Sequence, residues 1–127
     1  MNDQAFSTLE YNELLALVRR GAQTPMGQGR IASLEPLANL AELRRALAAV
    51  AECVALRRQG AGWSFGELSD SSESIARLQI VGAALDPLSI LELARLCEGA
   101  MVARAAIFAE RESATVLWSI VSELPRE

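Results

Sequence analysis

The stretch NLAELRRALAAVAECVALRRQG (39–60) decides the reading of the fold. Asn39 followed three residues later by Glu42 has the form of a capping box, a signature of a helix start. Leu40, Leu43, Leu47, Val50 and Val54 then recur in a 3-4-3-4 rhythm. That spacing gathers apolar side chains into one narrow seam facing a partner helix. Arg57 and Arg58 fall in the last turn, where cations complement the carbonyl end of the helix dipole, and Gly60 supplies the stop. The stretch predicts a helix over 40–59, followed by a glycine-flanked loop, GAGWSFG (60–66).

Upstream, TPMGQGRIASLEPL (24–37) has Thr24 as a helix N-cap and Pro25 at the first helical position, and the helix runs through Met26, Arg30, Ile31 and Leu34 and must end before Pro36. Before it, Ser7 and Glu10 spell another capping box. Tyr11, Leu14, Leu15 and Val18 then repeat at helical spacing until Gly21. Downstream, Asp70 and Glu73 cap a short helix through Ile75, Leu78 and Val81, with Gly82 after it. Asp86 and Pro87 open a long helix to about Ala109 whose apolar residues cover much of its circumference, as expected for a helix surrounded by neighbours. Ser113 is the candidate cap for a last helix that ends at Pro125. No segment alternates with period two and no hairpin signal appears. The expectation is an all-α fold: one domain over 1–127, an irregular bundle of five or six helices stacked around 40–59 and 88–109.

Composition agrees. The 127 residues are 51% apolar and only 5% aromatic, so a core must come from Ala, Leu, Ile and Val, and a chain of this size buries about two thirds of its unfolded surface. All 12 basic residues are arginine, set against 16 acidic ones, for a net charge of -4, which disfavours duplex binding by phosphate neutralisation. Histidine is absent, which removes the commonest general base and metal ligand together. Cys53 and Cys97 lack a CxxC neighbour and read as small buried thiols in a reducing cytoplasm. The start MNDQAFSTLE is not a signal peptide, and no stretch approaches a membrane span.

Four features invite chemistry. Gly27 and Gly29 suggest a phosphate loop, but the lysine of that motif and the preceding strand of a dinucleotide site are missing, so close helix packing explains them better. Trp63 and Phe65 could stack on bases or fold back as a lid on the bundle; the lid is favoured because aromatic area is scarce in this chain. Arg19-Arg20, Arg44-Arg45 and Arg57-Arg58 could meet phosphates, yet adjacent helix residues diverge by about 100°, which favours solvated surface. Glu92, Arg95 and Glu98 have ordinary i,i+3 spacing. The expected catalytic, cofactor-binding and metal-binding residues are therefore none.

Taken in order, TLEYNELLALV (8–18), TPMGQGRI with LEPL (24–37), LRRQG (56–60), FGELSD (65–70) and RLQIVGAALDPLSILEL (77–93) resemble the N-terminus of a MutS-family ATPase. More narrowly, the chain resembles the second bacterial MutS type, the paralogues without a mismatch-recognition domain. In that family a TPMG-like tetrapeptide with a following arginine opens the helical core, or lever, domain; the matching positions are Thr24, Pro25, Met26, Gly27 and Arg30. GAALDP (82–87) matches the link into the next core helix.

The resemblance implies a MutS core/lever-domain-like fold and a structural role for these positions. It implies a longer parent, of which this chain is an N-terminal fragment: a cytoplasmic homodimer that binds ATP and Mg²⁺ and can add a C-terminal endonuclease domain. That parent would bind branched or mismatched DNA in mismatch repair and suppression of recombination, or act in ATP-driven rescue of stalled ribosomes. The chain itself has no Walker A motif and no acidic Mg²⁺ motif, so it is expected to be non-catalytic, with the rest of its own longer chain as partner and no membrane. The alternative is a free-standing helical module that docks a partner helix.

Overall fold

The computed structural model describes residues 10–124, and within them the chain forms six helices and no strand. They are α1 (Tyr11–Arg19), α2 (Pro25–Ala32), α3 (Leu40–Arg58), α4 (Ser72–Leu78), α5 (Pro87–Ala109) and α6 (Thr115–Val121). The proposed cap Ser7 and the stop Pro125 lie outside the described residues.

Local punctuation sets most boundaries. The Thr24 hydroxyl accepts the Gly27 N–H at 3.0 Å, and Pro25 takes the first position of α2. The Asn39 side chain accepts the N–H groups of Ala41 at 2.8 Å and Glu42 at 3.3 Å. Asp86 accepts those of Leu88 and Ser89, both at 3.0 Å. At the far end of α3, Gly60 adopts φ +83°, a left-handed conformation in which a Cβ would be strained. Its N–H donates to the Arg57 carbonyl and that of Ala61 to the Leu56 carbonyl, closing two of the helix's orphan acceptors.

Three boundaries differ from expectation. Helix α2 ends at Ala32, short of Leu34. Asp70 caps one residue early: its carboxylate accepts both the N–H and the hydroxyl of Ser72, and α4 ends at Leu78 with Val81 beyond it, fully exposed. Ser113 does not cap α6, because its hydroxyl donates to the Glu110 carbonyl at 3.0 Å, back in the turn that ends α5.

The arrangement also departs from two long helices wrapped by short ones. Helices α1 and α2 pack as a hairpin, joined by the Tyr11 hydroxyl donating to the Leu34 carbonyl at 3.1 Å. Short α6 packs against both α3 and α5. Leu56, Ile107 and Ala114 form the buried cluster at that junction, with Ala61, Trp63, Leu117, Trp118 and Val121 packed around it. Among the described residues the buried apolar side chains are few: Leu56, Ala103, Ile107 and Ala114. The expectation of a well-filled core therefore fails.

The reason is visible on α3. Arg45, Ala49, Glu52 and Leu56 form its inward face: Arg45 donates to the Ser119 hydroxyl at 3.1 Å, Glu52 reaches the start of α6, and Leu56 is 2% exposed. The seam of Leu40, Leu43, Leu47, Val50 and Val54 lies about 180° away at 100° per residue. It faces solvent, with Leu47 60% and Val50 61% exposed. The N-terminal half of α5 is similarly uncovered at Leu88, Ile90 and Leu91, so that helix is not surrounded by neighbours.

Candidate functional site

The start of α6 is the most demanding junction in the fold. Its first turn has unsatisfied N–H groups and the positive end of a helix dipole, and no residue just before it provides a side-chain cap. Glu52, projecting from the middle of α3, fills that role from far away in sequence. Its two carboxylate oxygens accept the Val116 N–H at 3.1 Å and the Leu117 N–H at 2.8 Å. Sequence reasoning passed over Glu52 because a cap is sought within a few residues of the start it serves. The available signal was indirect: Leu56 falls outside the 3-4-3-4 seam and, with Ala49, outlines a second face that includes Glu52.

Beside this junction four side chains stack. The Arg104 guanidinium lies 5.2 Å from the Trp118 ring centroid, Trp118 meets Phe108 at 5.4 Å with the rings tilted by 60°, and the Arg111 guanidinium lies 4.4 Å from the Phe108 ring centroid. Arg104 Nε is buried without a hydrogen-bond partner, and Arg111 also donates to the Phe108 carbonyl at 3.1 Å. The stack fastens α6 to the last turns of α5.

The aromatic loop after α3 folds back as the lid reading anticipates. Arg57 donates to the Trp63 carbonyl at 2.8 Å, and the Phe65 N–H donates to Gln23 Oε1 at 3.4 Å. Phe65 rests on α5 at Gly99, where a Cβ would already lie 3.7 Å from the ring. Between loop and helix runs an open groove of about 350 Å³ whose wall includes Trp63, Glu67, Arg95, Glu98, Gly99 and Val102. Two carboxylates and a guanidinium around a solvent-open trough supply neither a nucleophile nor a positioned base.

The remaining candidates disperse. Gly27 is filled by its own helix cap, since a Cβ there would sit 3.0 Å from Thr24 Oγ1, while Gly29 has nothing within 4 Å; neither serves close packing of another helix. The six arginines of the three pairs are all exposed, but two of those pairs divide their labour, with Arg45 and Arg57 hydrogen-bonded inward. Cys53 is half-buried and Cys97 exposed, which corrects the reading of both as buried thiols. Among the described residues no group of three or more Cys, Asp or Glu side chains is placed to hold a metal ion, and no helix is long and apolar enough to cross a membrane.

Asp70 and Asp86 titrate below the usual carboxylate range, chiefly because the hydroxyls of Ser72 and Ser89 donate to them, with further help from backbone N–H groups. Both act as helix punctuation rather than as acid–base groups.

Among known proteins, the chain is similar to proteins named Endonuclease MutS2. It is 33% identical over 104 residues to that of Agathobacter rectalis, 28% over 98 residues to that of Streptococcus mutans, and 28% over 96 residues to that of Bacillus velezensis. These alignments cover 82%, 77% and 76% of this chain. No family model matches the chain, and no solved structure matches it. The chain spans only 12% to 13% of the length of these relatives, so the likeness is to a small part of each.

Proposed function

We propose that this chain is a non-catalytic helical segment of a MutS-type protein, corresponding to part of its core or lever region. One observation carries the reading: the likeness to MutS2 endonucleases extends over about four fifths of the chain, which has no constellation suited to catalysis among its described residues. Thr24, Asn39, Asp86 and Glu52 are all used as helix caps. Capped helices of 19 and 23 residues make rods of about 28 and 34 Å. Rods of that kind are the parts by which one site's movement reaches another. ATP and Mg²⁺ binding, nuclease action, dimerisation and engagement of branched or mismatched DNA would belong to other parts of such a protein.

The test is direct binding by the purified chain. With labelled four-way-junction DNA in anisotropy and with ATP and Mg²⁺ in calorimetry, the expected result is no saturable nucleotide binding and at most weak DNA binding. Tight DNA binding that falls steeply with salt would overturn the proposal, because it would place phosphate-contacting residues within this chain.

A further inference from the structure

Two groups of helices pack in this chain. Helices α1 and α2 pack on each other, and α3 and α5 each pack on α6, but neither hairpin helix makes more than a marginal contact with any helix from α3 onward. The chain between the two groups, residues 33–39, is not helical, and every one of its residues is exposed. The Tyr11 hydroxyl ties the first part of that segment to the hairpin at the Leu34 carbonyl, and Asn39 at its far end caps α3. Glu35, Pro36, Leu37 and Ala38 lie between those two fixed points. A few loop residues of this kind absorb the backbone rotation by which one rigid unit turns against another.

A hydrogen bond reaches across the gap. The Phe65 N–H donates to Gln23 Oε1 at 3.4 Å, and Gln23 sits in the turn between α1 and α2. A neutral bond of that length, open to water, is weak enough to break and re-form while the helices on either side stay folded. Its donor is well anchored. The Phe65 ring rests on α5 at Gly99, and the Arg57 guanidinium holds the same loop at the Trp63 carbonyl.

We propose that the α1–α2 hairpin is a hinged arm, which turns as a unit about residues 35–38 and is latched in the observed position by the Gln23–Phe65 hydrogen bond. The aromatic loop is the catch for that latch. When the latch opens, the hairpin keeps its Tyr11–Leu34 bond and its Thr24 cap, so the arm moves without unfolding. The inference rests on packing within this chain and is independent of the core or lever reading.

Spin labels on the full chain test it by double electron–electron resonance. In a Cys53→Ala background, a label on the exposed Cys97 of α5 is paired with one introduced by Arg19→Cys on α1 or, as the reference, with one introduced by Arg44→Cys on α3. The α1–α5 distance distribution is expected to be roughly twice as wide as the α3–α5 reference, as a hinged unit requires. Gln23→Ala should widen it further, with the reference and the helical circular dichroism spectrum unchanged. An α1–α5 distribution as narrow as the reference would overturn the arm, and one indifferent to Gln23→Ala would overturn the latch. A reference that widens along with it would show that Gln23 supports the whole fold, and would overturn the proposal as well.

Discussion

The two faces of α3 make opposite use of their residues. The inward face, Arg45, Ala49, Glu52 and Leu56, is half polar by composition, yet it closes the fold: one buried leucine, one carboxylate cap and one arginine hydrogen bond tie α3 to α6. The outward face is the most regular apolar seam in the chain, yet its residues stay exposed, from Leu43 at 37% to Val50 at 61%. Hydrophobic spacing identifies a face that wants a partner. It does not say whether that partner lies within the same unit. Stability of this chain on its own should therefore depend on the less hydrophobic face, and substitutions can break or sharpen that contrast.

The largest effect is expected at Leu56. Truncation by Leu56→Ala leaves a cavity among Ile107, Ala114 and their neighbours and should lower the unfolding free energy by about 3 kcal/mol, measured by urea denaturation. Next comes Glu52→Ala, which strips α6 of both acceptors at its start. A loss of about 2 kcal/mol is expected, since two N–H groups lose a charged partner, and hydrogen exchange should accelerate first at Val116 and Leu117. Thr24→Ala should cost less, about 1 kcal/mol, through loss of a single cap bond, and its effect should stay within the α1–α2 hairpin.

Acid supplies a milder perturbation. Because Asp70 and Asp86 have folded-state pKa values below 3.8, the unfolded chain binds protons first as pH falls. Their contribution is present in full above the unfolded value and is lost as pH drops from about 5 through 3.8 and below the folded value. Asp86→Asn should flatten that part of the stability profile, measured as the urea midpoint from pH 6 to pH 2.5. An unchanged acid limb would mean that the Ser89 and Leu88 contacts do not hold in solution.

The same contrast explains what the sequence made legible. The starts of α2, α3 and α5 were readable because Thr24, Asn39 and Asp86 each bond to N–H groups two or three residues ahead. All the physics lies within one turn of chain. The start of α6 was not readable, because its cap comes from Glu52, 64 residues from Val116. Ser113 had the right residue type at the right place, but its hydroxyl found the Glu110 carbonyl instead. The seam of α3 gave the helix and its apolar face correctly and misled about direction, because Leu56 alone contributes more burial than any seam residue. The placement of Trp63 and Phe65 as a folded lid follows from contacts with α5 and Gln23 that spacing could only suggest.

The smallest expected effect is the most informative. If the α3 seam plays no part in this chain's own core, the unfolding free energy of Leu47→Asp is the measurement that shows it most directly. A value within about 0.5 kcal/mol of the parent chain, as for an ordinary surface substitution, is the predicted result. A loss of about 3 kcal/mol or more, comparable to truncating a buried leucine, would show that the seam is part of this chain's own core and would contradict the account.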